Sequence, residues 1–272
     1  MKTPAGKVLS AVTGLTAAFV ATGLFAQSMD TIDIPDVGPC PLTGTAKQQN
    51  LKALDQQKNR YVAATTKQIS SGVALSDMLK SGNDTTRWQN GKAVEIVGYV
   101  IDVQPGGVET CNCKTKDEDY KDTHIAIVNS EGTTDSTKAV VVEVTPRVRL
   151  LEGESKGPSW STPALKSTLV NHWVRFRGWM LFDFVHAQQS ENINPGNPKD
   201  WRATAWEVHP VTDIEIASAP MSATVSRAFR ALTLRPKPAV VVDNVHDHAY
   251  VSIQGQQPYP LLSTVETEDS SQ

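Results

Sequence analysis

The sequence has little cysteine and little excess charge. Three cysteines in 272 residues are too few for a scaffold built from disulfides, and one is left over if a single bridge forms. Lysine and arginine total 26 against 29 aspartate and glutamate residues, a net charge of -3. Because no overall basic field results, the composition argues against a protein that coats DNA or RNA. No P-loop and no H-E-x-x-H motif occurs, which removes two recognisable enzyme classes.

Long apolar runs are also absent, except at the N-terminus. Residues 1–26 carry Lys2 and Lys7 and then an uncharged stretch rich in Ala, Val and Leu, which is typical of a secretory signal peptide. The alternative interpretation is a membrane anchor. The Thr, Ser and Gly content of the stretch favours a signal peptide that is cleaved. We therefore expect a periplasmic or secreted protein with no stable membrane span after cleavage, in a compartment where a disulfide can persist.

The tryptophans mark the predicted domain. All six lie between Trp88 and Trp206, and large aromatic side chains contribute most to burial in a core. We predict an irregular arm and a helical segment in residues 27–87 and a β-barrel domain in residues 88–217. Residues 218–272 are predicted to be a C-terminal appendage, partly disordered.

The order of the predicted elements indicates the fold class. Runs rich in Val and Ile predict five strands, and the gap after the third contains a short helix at residues 163–169 with Thr162 as its N-cap. We expect a mainly β fold: a five-stranded OB-like barrel with a short helix between strands 3 and 4, preceded by a helical N-terminal segment. Another small barrel or sandwich is the alternative. The five strand candidates are residues 92–103, 124–129, 139–145, 172–184 and 204–217.

The cysteines leave three alternatives open. Cys111 and Cys113 can form a small-ring disulfide, or one of them can pair with Cys40. They can also bind a metal ion together with His124 and His209. The spacing C-x-C alone does not decide between these readings.

Two acid–histidine pairs are the main candidate site. Asp122 and His124, like Glu207 and His209, are two residues apart, so each pair faces one side of its strand. If both pairs face one groove, they can bind a divalent metal ion through Asp122, His124 and His209, or act as acid and base, with His186 nearby. The alternative is that each histidine only forms a structural hydrogen bond to its neighbour.

Charged residues on or beside the strands complete the list of candidates. Arg147 and Arg202 can bind an anionic group or pack on the barrel wall, and Glu143 is a candidate ligand or base. OB folds bind ligands between the loop joining strands 1 and 2 and the loop joining strands 4 and 5. Here those are residues 104–123 and 186–202, which are the two loops richest in reactive side chains.

Four motifs lie within residues 75–216: Gly-Gly-x-Glu-x-Cys-Asn-Cys at 106–113, Asp-x-His at 122–124, Val-Thr-Pro-Arg at 144–147 and Trp-Glu-x-His-Pro-Val-Thr at 206–212. Together they resemble an uncharacterised family of exported bacterial OB-fold-like proteins. The resemblance implies that this stretch is one module, and the family has no established activity to carry over. A looser, fold-level likeness is to the staphylococcal-nuclease kind of OB barrel, which uses Asp, Glu and Arg around calcium.

The sequence thus supports three hypotheses. The first is an exported ligand-binding module, metal-assisted, for an unknown small molecule or an envelope partner. The second is a metal-dependent hydrolase such as a phosphodiesterase, in which Arg147 stabilises developing charge and Glu143 or Glu207 is the base. The third is a structural envelope protein, which predicts that both His124 and His209 are buried against the backbone.

Overall fold

A computed structural model describes residues 28–69, 72–155, 159–220, 240–243 and 250–253. The predicted signal peptide, residues 1–26, lies outside the described residues. The chain divides into two compact units, Met1–Ala219 and Pro220–Gln272. Within the described ranges, every helix is too short or too polar to cross a lipid bilayer.

The described residues of the first unit start with a hairpin, where an irregular arm was predicted. Strand β1 (Thr31–Ile34) pairs antiparallel with β2 (Gly38–Pro41), and β1 buries alternate residues. Ile32, Ile34 and Cys40 pack with Met29 and Cys113 in a small core of their own. The prolines of β2 are compatible with a two-stranded edge, where a missing N–H costs no ladder hydrogen bond.

Two helices follow the hairpin. Helix α1 (Gln49–Lys58) is shorter than the predicted helical segment, and α2 (Leu75–Met78) is a single turn. Asn59 is the C-cap residue of α1. Its amide donates to the carbonyl oxygens of Leu42 and Cys111.

The barrel consists of five strands. They close in the order β3-β4-β5-β7-β6, so each strand has two neighbours. All pairings are antiparallel except that of β5 with β7, which is parallel at Val142 and Val208. The strands are β3 (Ala93–Pro105), β4 (Thr123–Val128), β5 (Val140–Val144), β6 (Trp173–Phe182) and β7 (Trp206–Ile216). The prediction of a mainly β, five-stranded barrel is confirmed.

The helical content beside the barrel differs from the prediction. Two helices, α3 (Pro146–Ser155) and α4 (Thr162–Leu169), lie between β5 and β6, where one short helix was expected. Proline at the first position starts α3 immediately after β5, since its fixed φ suits a first helical turn. The N-cap of α4 is Ser161, whose hydroxyl accepts from the Ala164 N–H, and not Thr162.

Glycines allow the strands to pass close to other groups. A Cβ on Gly98 would lie 2.8 Å from Cβ of Ile127, so this strand position accepts no side chain without a shift. The register irregularity of β3 against β4 falls between Val100 and Asp102 and does not include Gly98. Close strand contact, and not a bulge, therefore accounts for Gly98.

The second unit contains one described feature. Strand β8 (Val240–Asp243) pairs antiparallel with β9 (Tyr250–Ile253). The rest of the predicted C-terminal appendage lies outside the described residues.

Candidate metal centre

One end of the barrel contains a group of buried acidic and basic side chains. The pairing of β4 with β5 sets His124 directly opposite Glu143. Strand β7 contributes Glu207 and His209, which share one face because they are two residues apart. Asp122 comes from the loop that enters β4. The two acid–histidine pairs therefore meet, with Glu143 between them.

The distances show one continuous polar contact network. His209 Nδ1 lies 3.1 Å from Glu207 Oε1 and 3.2 Å from Glu143 Oε2. His209 Nε2 lies 3.9 Å from Asp122 Oδ2, and His124 Nε2 lies 3.3 Å from Glu143 Oε2. Asp122, Glu143 and His209 can each offer one ligand atom, and these three atoms lie within 4.8 Å of one another.

Each member of this triad has a buried polar atom that makes no hydrogen bond to the described residues. The three atoms are Asp122 Oδ1, Glu143 Oε2 and His209 Nε2. The close approaches of Glu143 Oε2 to both imidazoles lack hydrogen-bond geometry. A buried polar atom without a partner is costly, so three in one contact network point to an additional bound group.

Burial and neighbouring charge act on the triad in different directions. Burial raises the pKa of Asp122 and also that of Glu207. For Glu143 burial acts upward as well, but His124 and His209 outweigh it and hold the pKa well below its usual range. Burial lowers the pKa of His209, whereas Glu143, Glu207 and Asp122 together raise it well above normal. Without another cation, His209 is thus an imidazolium among carboxylates.

Helix α1 adds a buried lysine to the same network. Lys58 Nζ lies 2.7 Å from Glu109 Oε2 and 2.9 Å from Asp183 Oδ2, and all three side chains are largely buried. Burial lowers the pKa of Lys58, but Asp183 and Glu109 raise it well above normal, so the ammonium keeps its charge. His186 Nδ1 donates to Asp183 Oδ2 at 2.8 Å and lies outside the triad.

A second group that could hold a metal ion adjoins the triad. It consists of Glu109, Cys111 and Asp122, so Asp122 belongs to both groups. Cys111 Sγ lies 3.5 Å from Glu109 Oε2 and 3.6 Å from Asp122 Oδ2. Burial raises the pKa of the Cys111 thiol well above normal. Since Lys58 already neutralises Glu109, this second group has less need of a cation.

The cysteines resolve the three alternatives. Cys40 forms a disulfide with Cys113, and Cys111 is a buried free thiol. The small-ring bridge between Cys111 and Cys113 is therefore wrong, and pairing of one member with Cys40 is confirmed. The bridge connects the hairpin to the loop that carries Cys111, which neither spacing nor composition specified.

The two candidate arginines have different environments. Arg202 Nη1 donates to Glu207 Oε2 at 2.9 Å, and its guanidinium lies 4.2 Å from the Trp201 ring. Arg147 is fully buried away from the triad. It donates to the carbonyl oxygens of Met29 and Cys40 and to Asn59 Oδ1. Its donors hold the N-terminal hairpin to the barrel.

Two clefts approach the buried network from outside. The larger, about 610 Å³, has His209 on its inner wall, although the His209 side chain itself is not exposed. The smaller, about 450 Å³, is lined by His124 and Trp201, whose rings are parallel with centroids 5.8 Å apart. His124 is thus more exposed than Asp122, Glu143, Glu207 and His209.

Sequence reasoning missed the members contributed by α1 and by the end of β6. Lys58 lies on the same helical face as Leu54, four positions earlier, and both are buried. Few apolar residues line the inward face of α1, because this face also carries a charged residue. A lysine among the few apolar residues of that face was the sequence signal that could have identified Lys58 as buried.

Comparison with known proteins adds no assignment. No protein-family model and no curated protein sequence matches this chain. The resemblance to exported OB-fold-like proteins therefore rests on the sequence motifs alone.

Proposed function

We propose that this protein is an exported, OB-like ligand-binding module that holds a divalent transition-metal cation at Asp122, Glu143 and His209. The observation that carries the proposal is that each residue of the triad has one buried polar atom without a hydrogen bond to the described residues. The proposal retains residues 88–217 as the limits of the module.

The donor set favours a transition metal. Imidazole suits zinc, copper, iron and nickel, whereas calcium and magnesium favour sites built of oxygen ligands alone. Two carboxylates and one imidazole are a ligand set found in zinc sites. Bound there, the ion would replace the proton on His209 and polarise the groups that contact it.

Charge balance supports the same conclusion. Five carboxylates (Glu109, Asp122, Glu143, Asp183 and Glu207) face two permanently charged cations, Lys58 and Arg202. Buried charges that lack partners are expensive, and protonated histidines or a metal ion can supply the balance. Arg202 Nη1 pairs with Glu207 at 2.9 Å, and its Nη2 lies farther away, 3.9 Å from Glu143 Oε1. Asp122 and the second oxygen of Glu143 therefore remain for the ion.

The barrel and the disulfide support the remaining parts of the proposal. The strand order, with its one parallel pair and with helices between the third and fourth barrel strands, is compatible with an OB-like topology. The Cys40–Cys113 bridge is of the kind that persists in an oxidising compartment, as export to the periplasm or the medium would provide.

A binding role fits the site better than the hydrolase hypothesis. Catalytic zinc keeps one coordination position open to substrate, whereas the side chains of Glu143 and His209 are 1% and 0% exposed. Arg147, assigned to charge stabilisation in that hypothesis, uses Nε and both terminal nitrogens within the fold. Gly153, Ser155 and Gly157 have nucleophile-elbow spacing, but Ser155 ends a helix instead of following a strand.

The structural hypothesis is weakened by what contacts the histidines. It predicted that His124 and His209 would be held by the backbone. Both instead contact Glu143, and His209 also contacts Glu207. An imidazole facing several carboxylates is a ligand arrangement that a purely structural histidine does not require.

The test is metal binding by the full chain, expressed with export and purified without a histidine tag. Metal content and the affinities for Zn²⁺, Mn²⁺ and Ca²⁺ are measured for the wild type, Glu143→Gln and Cys111→Ser. Glu143 belongs only to the proposed triad and Cys111 only to the neighbouring group, so the variants form a matched pair.

We expect one Zn²⁺ per chain, at least about tenfold weaker affinity in Glu143→Gln and no change in Cys111→Ser. The Co²⁺-loaded wild type should lack a strong thiolate-to-cobalt charge-transfer band. That readout needs no variant to fold. Loss of binding in Cys111→Ser, a strong thiolate band, or no saturable Zn²⁺ binding by the wild type would overturn the proposal.

A further inference from the structure

Arg60 is held against an aromatic ring at the edge of the larger cleft. Its guanidinium carbon lies 3.9 Å from the centre of the Trp179 ring, a cation–π distance. Trp179 is itself fixed, because its indole N–H donates to the carbonyl oxygen of Val62 at 2.8 Å. The stacked guanidinium is therefore positioned without using its own hydrogen-bond donors.

Those donors have no partner among the described residues. Arg60 makes no side-chain hydrogen bond and no ion pair there, whereas every other arginine in the described ranges donates at least one hydrogen bond. Arg87 is the direct comparison, since it also lies over a tryptophan, 5.4 Å from the Trp88 ring. Its terminal nitrogens donate to four backbone carbonyl oxygens, between Asp77 and Gly82.

The other polar groups of the cleft favour an anionic occupant. Gln56, Gln57 and Asn90 line it beside Arg60. Asn90 Oδ1 accepts from the Phe182 N–H at 2.7 Å, which leaves its amide nitrogen as a donor for the cleft. The one acid on the lining, Asp30, accepts from the Tyr61 hydroxyl at 2.9 Å.

We propose that this cleft binds the oxyanion group, carboxylate or phosphate, of a small molecule, with Arg60 as the anchor and Trp179 as its support. A guanidinium presents paired N–H donors whose spacing matches both kinds of oxyanion. Stacking on Trp179 lowers the entropy lost on binding, because the side chain is already held in place. The cleft volume of about 610 Å³ lies within the range of small-molecule sites. His209 also lines this cleft, but Arg60, Trp179 and Asn90, the groups assigned to the oxyanion, are not proposed metal ligands.

The test is a titration of the full chain, freed of metal and desalted, with succinate and separately with inorganic phosphate. Ionic strength is held constant with chloride, and the indole N–H signal of Trp179, assigned through Trp179→Phe, reports binding. The variants are Arg60→Gln, Arg60→Lys and Arg175→Gln. Arg175 is the charge-matched control, since it lies on the barrel wall and is paired with Glu95 and Glu215.

We expect saturable binding of at least one of the two anions. Arg60→Gln should weaken it by about tenfold or more, the loss typical of a charge-assisted hydrogen bond, and Arg175→Gln by less than about twofold. Arg60→Lys keeps the charge but loses the paired donors, so the anion affinity of this variant should fall by several-fold. This variant serves as the test if Arg60→Gln does not fold. Preference for succinate or for phosphate identifies the source of the oxyanion.

Three results would overturn the proposal. One is the absence of saturable binding of either anion by the wild type. Another is unchanged affinity in Arg60→Gln, or in Arg60→Lys if only that variant folds. The third is equal weakening by the substitutions at Arg60 and Arg175, which would indicate a general charge effect.

Discussion

Replacing Lys58 by methionine should destabilise the fold more than removing any other charged side chain of α1. The ammonium is buried between Glu109 at 2.7 Å and Asp183 at 2.9 Å. Methionine keeps most of the aliphatic volume and removes the charge. Two buried carboxylates then lose their shared partner, and the helix loses its strongest polar connection to the end of β6.

The distances set the size of the effect. Coulomb's law at an effective dielectric constant of about 20 gives roughly 6 kcal/mol for each contact at these distances. The cost of removing the lysine from water offsets much of that attraction, and a buried pair that loses one partner typically costs about 3–5 kcal/mol. We expect a loss in the free energy of unfolding within that range.

The assay is urea denaturation of the full chain at neutral pH and near pH 4. Lys52→Met is the control, since Lys52 belongs to the same helix and makes no ion pair among the described residues. Interaction with Lys58 and His186 outweighs burial and lowers the pKa of Asp183. Its contribution to stability is therefore present above the unfolded pKa of about 4 and is lost as the pH falls through the lowered native value.

The stability difference between wild type and Lys58→Met should consequently shrink once acid begins to protonate the two carboxylates of the variant. The double variant Lys58→Met/Asp183→Asn should recover part of the loss, because it removes one of the uncompensated charges. A loss for Lys58→Met within about 1 kcal/mol of that for Lys52→Met would refute the reasoning.

Three further predictions concern the surroundings of the network. Burial raises the pKa of Asp55 to about 6, so the free energy of unfolding falls as the pH rises from about 4 to 6. In urea denaturation, Asp55→Asn should therefore be more stable than the wild type by up to about 3 kcal/mol at pH 8 and equally stable near pH 3.5. Arg147→Met should make backbone amides of the β1–β2 hairpin exchange at least about tenfold faster in hydrogen-exchange mass spectrometry, and unchanged rates would contradict its bracing role. Gly44→Ala should lower the free energy of unfolding by more than about 3 kcal/mol in calorimetry, because the new methyl group overlaps the Thr110 carbonyl. Gly38→Ala is the control, since Gly38 also has a positive φ but open space around it, and it should cost about 1–2 kcal/mol. Equal costs would contradict the steric argument.

The barrel was predictable because each of its strands has a local sequence pattern that is typical of β-strands. Val and Ile runs of the right length formed strands near the expected positions, and along β6 Val174 and Phe176 are buried while Trp173 and Arg175 stay partly exposed. The hairpin was missed because Pro39 and Pro41 were interpreted as loop signals. Its burial depends on a disulfide and on Arg147, which are long-range contacts that no local pattern contains.

The centre was partly predictable for a related reason. Spacing places two residues on one face of a strand, so Glu207 and His209 could be paired from sequence. Bringing that pair to Asp122 and Glu143 requires the strand order of the barrel. Lys58 and Asp183 lie outside the barrel motifs, and only tertiary packing brings them together.

The N-terminal hairpin and α1 belong to the centre as much as the barrel does. Asn59 donates to the Cys111 carbonyl from one side, and the Cys40–Cys113 bridge fixes the same loop from the other. That loop leads to Asp122, so its position determines how close Asp122 comes to His209. Buried charges retain such close contacts only where the surrounding chain is rigid, since a loosened loop would admit water and relax them. The bracing contacts of residues 28–59 are therefore part of what shapes the proposed metal site, and the barrel strands alone would not specify it.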